Sequence, residues 1–265
     1  MSSKDIKPAK EYFVETPSGR MRIWEKGRGK RVGFFAGITG LPRWSPFLED
    51  LSKQFCVVAP SLPGFPGGPS SEALDAPLDW VLAAGDAFDA AGLEGCDLIG
   101  ESVGGALAAE VAAIWPSSVR RLVLMAPFGM FDEKEPVADV FAQMPGRMNA
   151  ALSENAEALA QWLSCPPGAD AGDWEIMYLR AHVASAAMVW PLGDTRLARR
   201  LPRIAAKTLV LWGGKDRVIP QSYAKRFVAA LPKGAKAQVI ANAGHMAGFD
   251  QPARCAQAVT KFLKA

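Results

Sequence analysis

The sequence predicts an α/β fold: an eight-stranded, mostly parallel sheet with helices on both faces and a helical cap inserted after the sixth strand. Three observations predict it. Apolar runs of strand length recur along the chain and mostly alternate with helical patterns. The first two runs are joined by a turn instead, and the alternation stops between Phe128 and Arg203 before resuming.

Taken in order, Tyr12-Phe13-Val14 and Met21-Arg22-Ile23-Trp24 flank Pro17-Ser18-Gly19, a turn signal that suits an antiparallel hairpin. The later runs are Val32-Gly33-Phe34-Phe35, Cys56-Val57-Val58-Ala59, Asp97-Leu98-Ile99, Leu122-Val123-Leu124-Met125, Leu209-Val210-Leu211-Trp212 and Ala237-Gln238-Val239-Ile240. They are near-continuous and apolar, as parallel strands covered on both faces require. Helical patterns span Pro46 to Lys53, Leu78 to Ala91, Val103 to Trp115, Ser222 to Leu231 and Ala253 to Leu263.

From Phe128 to Arg203 the pattern is helical and rich in Ala, Met and Trp. It breaks at Cys165-Pro166-Pro167-Gly168 and at Trp190-Pro191-Leu192-Gly193. The expected division is a core of residues 1–127 and 204–265 and an insertion of residues 128–203. An insertion there lies over the carboxyl ends of the strands, where open α/β sheets bind ligands.

The 265 residues are enough for one large domain with an inserted piece. A net charge of +3, dispersed along the chain, gives no reason to expect a nucleic-acid partner. The four cysteines, Cys56, Cys96, Cys165 and Cys255, match no zinc spacing and read as reduced and structural. The segment Met1 to Glu15 lacks a signal-peptide core, and no later run is long and apolar enough to span a bilayer. The expectation is a cytoplasmic protein with a small-molecule substrate, no membrane or nucleic-acid partner, and no cofactor or metal; the oligomeric state stays open.

The chemistry concentrates at Gly100-Glu101-Ser102-Val103-Gly104, which reads G-x-S-x-G between the fifth strand-like run and the small-residue helix Gly105 to Val111. That strand, turn and helix context is what a nucleophile elbow needs; a glycine-rich packing turn is the alternative. Serine is a weak nucleophile and needs a base. The chain offers two histidines, and His245, in the loop after the last strand, is the candidate. His182 lies mid-insertion and reads as a packing residue or, if it faces inward, a substrate contact. Asp216, after the seventh strand, is the candidate third group, with Asp132 second; a turn aspartate is the plain reading of Asp216. The oxyanion donors are expected from the backbone amides of Val103 and of Ile38, the latter in the loop Ala36-Gly37-Ile38-Thr39-Gly40.

With these residues assembled, the chain resembles the α/β-hydrolases of the helical-cap type over nearly its whole length, and Ser102, Asp216 and His245 match that family's triad order. Two departures are visible: Ala36-Gly37 stands where many members have His-Gly, and Ser61-Leu62 precedes Pro63-Gly64 where many have Asp. They bear on loop geometry and subfamily rather than the triad. Serine rather than aspartate at the nucleophile argues against epoxide hydrolases and haloalkane dehalogenases.

The resemblance implies a serine hydrolase acting through an acyl-enzyme on a small to medium, largely apolar ester. Hydrolysis of carbon–carbon bonds in ring-fission products, or of enol-lactones, is the alternative within the family, and a non-catalytic ligand-binding protein the alternative outside it. Candidate pocket residues are Trp162, Tyr178, His182, Trp190 and Met246. Phe131, Met144, Met148, Trp174, Met177 and Met188 belong to the same apolar set, more than half of which is expected to build the insertion's own core. Arg180, Arg196, Arg199 and Arg200 suit either a carboxylate substrate or a solvated helix face.

Overall fold

A computed structural model describes residues 8–190 and 195–265. Met1 to Lys7 of the charged N-terminal segment and the Pro191-Leu192-Gly193 part of the second break lie outside the described residues. Strands β1 (Lys10–Thr16) and β2 (Gly19–Lys26) form the hairpin, closed at Thr16 opposite Gly19, whose φ of +117° favours glycine. β2 pairs antiparallel with β4 (Cys56–Pro60), and β4 runs parallel to β3 (Arg31–Phe35). From β3 outward, β5 (Cys96–Glu101), β6 (Val119–Met125), β7 (Lys207–Gly213) and β8 (Lys236–Ile240) are all parallel. The sheet order is β1-β2-β4-β3-β5-β6-β7-β8.

The chain leaves β3 in one direction along the sheet and β5 in the other, so right-handed crossovers put the connecting helices on opposite faces. On one side α1 (Pro46–Ser52) packs against the helix Pro252–Lys264, and on the other α2 (Pro77–Ala90) packs against α3 (Ser102–Ile114). The central strands are accordingly buried along nearly their whole length, with Phe35, Leu98, Leu122 and Trp212 fully enclosed. Each such side chain contributes about 1.5–3 kcal/mol by leaving water. β8 departs from its apolar look: four of its five residues are exposed, because it ends the sheet.

Between β6 and β7 the described residues contain no strand. They form α4 (Pro145–Leu152), α5 (Ala156–Leu163), α6 (Ala171–Val189) and two single 3₁₀ turns, Leu197–Arg199 and Leu201–Arg203. Caps set the entry of two of these helices: Asn155 Oδ1 accepts from Ala158 N, and Asp170 Oδ1 from Asp173 N. Contacts tie this segment to loops at the carboxyl ends of β3, β4 and β8. Ser185 Oγ donates to Ile38 O, a Cβ placed on Gly64 would meet that of Ala184, and Met246 N donates to Leu152 O.

Of the segment's nine large apolar candidates, six are buried or half-buried and three are exposed. Met148 and Met188 are buried, and Trp162 and Tyr178 pack partly buried against the main core, whereas Phe131, Met144 and Trp190 are exposed. α6 itself seats largely through small residues, Ala181, Ala184 and Ser185. Among the described residues no helix is long and apolar enough to cross a membrane. The four cysteines are unpaired.

Candidate active site

The site grows from the end of β5, which lies between β3 and β6 in the middle of the sheet. The chain turns from strand to helix at Ser102, whose φ is +56°. A non-glycine residue held there costs about 1–3 kcal/mol and persists only where the surroundings enforce it. The flanking glycines are what enforce it. A Cβ on Gly104 would sit 2.2 Å from Ala36 O, and one on Gly100 would sit 2.5 Å from Gly104 O. Close approach of α3 to β3 and β5 therefore needs both glycines, and it leaves Ser102 at the apex.

Ser102 Oγ lies 2.8 Å from His245 Nε2, and His245 Nδ1 lies 3.0 Å from Asp216 Oδ2. The side chains of His245 and Asp216 are fully buried. Asp216 Oδ1 accepts from Val218 N at 2.8 Å and Ile219 N at 3.0 Å, which fixes the carboxylate while its other oxygen faces the imidazole. A carboxylate only accepts, so Nδ1 carries the proton and Nε2 is left to accept from the Ser102 hydroxyl. Asp132, the second acid of the sequence reading, faces elsewhere: it pairs with Arg226 and accepts from Lys134 N.

Two amides border the serine. Val103 stands in the first turn of α3, whose leading N–H groups have no intrahelical acceptor. Ile38 sits in a turn after β3 closed by Gly40 N donating to Gly37 O at 2.8 Å. This turn lies directly on Ser102, since a Cβ on Gly37 would be 3.1 Å from the serine Cβ.

The loop carrying His245 is clamped by Asp250, a residue the sequence reading passed over. Its carboxylate accepts from Gly244 N at 2.7 Å, Glu154 N at 3.1 Å and Ser153 Oγ at 2.5 Å, joining the histidine loop to the start of α5. Glu101 was also passed over. Burial pushes its carboxyl up to about 7, against the opposing pull of the His245 imidazole. Its place beside Ser102 in the motif is the one signal that could have flagged it; Asp250 has none.

Of the candidate pocket residues, Met246 and Trp162 line a cavity of about 20 Å³ together with Glu101 and Phe249, with Trp162 5.8 Å from the Phe249 ring. This is room for about one water. His182 joins the site through rings: Phe128 lies 5.7 Å from His245 and 6.5 Å from Phe141, and Phe141 lies 5.3 Å from His182. Tyr178 stacks on His182 at 6.4 Å. Burial holds the His182 imidazole below its ordinary range, opposed by the Phe141 backbone and Asp139. Trp190 is 69% exposed and borders a cleft of about 230 Å³ along α3, shared with Val103, Leu107 and Met188. Arg200 forms a two-pronged ion pair with Glu110, and Arg180 borders an outer cleft beside α6. Among the described residues no cluster of three or more side chains could hold a metal ion.

Comparison with known proteins adds the following. A family model described as "Alpha/beta hydrolase family" matches residues 33–258. The chain is 28% identical over 253 residues to 2-hydroxymuconate semialdehyde hydrolase of Pseudomonas sp. strain CF600, covering 86% of this chain and 83% of that one. It is 25% identical over 271 residues to carboxylesterase YbfK of Bacillus subtilis, covering 95% and 87%. A solved structure of that esterase matches with a TM-score of 0.71 at 21% identity, covering 98% of this chain and 92% of that one. The chain is also 29% identical over 259 residues to the dihydrolipoyllysine-residue acetyltransferase component of the acetoin cleaving system of Cupriavidus necator, covering 90% of this chain but 65% of that longer protein.

Proposed function

Because this chain belongs to the alpha/beta hydrolase family, we propose that it is a serine hydrolase that cleaves a small to medium, largely apolar ester through an acyl-enzyme. The observation that carries the reading is the hydrogen-bonded line Ser102, His245, Asp216, at 2.8 and 3.0 Å, with the serine in a strained left-handed conformation.

In this reading Ser102 Oγ attacks the carbonyl carbon while His245 Nε2 takes the hydroxyl proton. Asp216 holds the imidazole in the tautomer that can accept, and stabilises the imidazolium that forms. The carbonyl oxygen becomes an oxyanion and meets the amides of Ile38 and Val103. His245 then gives its proton to the departing alkoxide, leaving an acyl-serine. Water attacks that ester with His245 again as base, and the acid leaves as Ser102 regains its proton.

The apolar substrate class is supported by the surroundings. Phe128, Phe141 and Tyr178 set a run of rings beside His245 and His182, and burial disfavours the charged form of His182. Arg200 is committed to Glu110. Surroundings of this make-up suit an acyl chain better than a second charge. The carboxylesterase YbfK is consistent with this class, and the semialdehyde hydrolase supports the second reading, hydrolysis of a carbon–carbon bond with the same three residues.

The test is hydrolysis of p-nitrophenyl esters from acetate to octanoate by wild type and Ser102→Ala, with fluorophosphonate labelling in parallel. Turnover present in wild type and lost in Ser102→Ala is expected, with a chain-length optimum that measures the acyl pocket. A serine that labels without cleaving any ester sends the assignment to carbon–carbon or lactone substrates. Absence of both turnover and labelling would identify a binding protein.

A further inference from the structure

We propose that Ser185, on the helix α6 inserted between β6 and β7, is a positioning residue for the oxyanion site. This rests on the serine-hydrolase reading above and names a part of its machinery that lies outside the G-x-S-x-G elbow and its partner loops.

The turn Gly37 to Gly40 presents the Ile38 amide, and two peptide planes flank the Ile38 Cα. The plane carrying the Ile38 N–H also carries Gly37 O, and the turn's own hydrogen bond from Gly40 N holds it. The other plane, between Ile38 and Thr39, is the central peptide of the turn. Central peptides are the weak point of such turns, because the common turn types differ chiefly by rotation of that one unit. Here its carbonyl accepts from Ser185 Oγ at 2.8 Å. Both planes around the donor residue are thus held, one from within the loop and one from α6.

The bond is built rather than incidental. Ser185 is fully buried, and Ile38 is nearly so. A serine inside a helix ordinarily returns its proton to a carbonyl one turn back on its own helix. Ser185 instead spends its donor on a loop 147 residues away in sequence. Its neighbour Ala184 closes on Gly64 so tightly that a Cβ there would clash at 2.4 Å, which fixes the height of α6 over the loops. Oxyanion donors work because they are aligned before charge develops. Loss of the Ser185 hydroxyl leaves a buried carbonyl without its donor and the central peptide held only by its own loop, so the turn that presents the Ile38 amide loosens.

The test is Ser185→Ala on p-nitrophenyl butyrate, with rates expressed per serine titrated by fluorophosphonate so that misfolded protein does not count. The expected result is a kcat roughly tenfold lower, short of the ~10²–10³-fold loss seen when a donor is removed outright, with KM within about twofold. Inhibition by an alkyl trifluoromethyl ketone, which forms an oxyanion adduct with the serine, weakens by a similar factor. Ser185→Cys keeps the volume with a weak donor and gives the same pattern if the alanine variant does not fold. Unchanged kcat per titrated serine, or a lower kcat with unchanged ketone inhibition, overturns the proposal while the hydrolase reading stands. Wild type that neither turns over nor labels overturns both.

Discussion

Asp216→Asn isolates the role of one oxygen. Asp216 has two jobs on two atoms: Oδ1 accepts from the Val218 and Ile219 amides, and Oδ2 faces His245 Nδ1. An asparagine can keep its carbonyl on the amides and turn its NH₂ to the imidazole, or do the reverse. The reverse sets a donor against two backbone donors and loses two hydrogen bonds, each worth about 0.5–1.5 kcal/mol, while burying unsatisfied N–H groups at about 1–3 kcal/mol each. The first arrangement therefore wins. It forces His245 to accept at Nδ1 and carry its proton at Nε2, which then donates to Ser102 Oγ at the same 2.8 Å instead of accepting from it. A base in the wrong tautomer costs roughly 10⁴-fold in kcat, about 5.5 kcal/mol. Stability should barely move, because the bonds to Val218 and Ile219 survive. The assay is kcat on a p-nitrophenyl ester at several pH values alongside a thermal melt. A folded Asp216→Asn protein within tenfold of wild type would refute the argument and shift attention to Glu101, since Asp132 is held by Arg226.

Replacing Ser102 by glycine relieves the left-handed backbone that alanine must still bear. Both variants should be inactive, with Ser102→Gly the more stable by about 1 kcal/mol, read as a Tm about 2–4 °C higher for a chain this size; equal melting temperatures would show the strain is not stored there. Glu101 binds its proton more tightly folded, at about 7, than unfolded, at 4.5. The folded state therefore holds more protons across that window, and stability falls as pH rises from about 4.5 to 7 and stays lower above it. Glu101→Gln removes this loss, so variant minus wild-type stability should grow between pH 5 and 8 by up to about 3 kcal/mol; parallel stability curves across that range would contradict the burial argument.

Much of this arrangement was legible in the sequence where a local pattern carries it. The apolar runs of β3, β5, β6 and β7 are continuous because both faces are covered, and that continuity is visible in one dimension. Ser102, Asp216 and His245 each follow a strand-like run closely enough for their shared end of the sheet to be read from the chain itself. Ser185 and Asp250 were not legible, and Glu101 only through its place beside Ser102. Their roles depend on which backbone carbonyl, amide or imidazole lies opposite across a loop, and nothing periodic in the chain encodes that. Trp190 and Met144 misled because large apolar residues promise burial, but both stand at helix ends, Trp190 after α6 and Met144 before α4, and stay exposed.

One feature of the sheet bears on how this protein would lose activity. His245 hangs from β8, which closes the sheet order and pairs with β7 alone, most of its residues facing solvent. Edge strands of this kind open locally at a free energy below that of the whole molecule. His245 is thus mounted on an edge of the sheet, while Ser102 is rooted at its centre. Heating would separate the two before the central strands melt, so inactivation precedes unfolding. Resistance to that early loss rests on the three hydrogen bonds of Asp250, two of which reach Ser153 and Glu154 between α4 and α5. A ligand that steadies those helices would steady the base with them, and occupancy of the pocket would then lengthen the working life of the protein more than it raises its melting temperature.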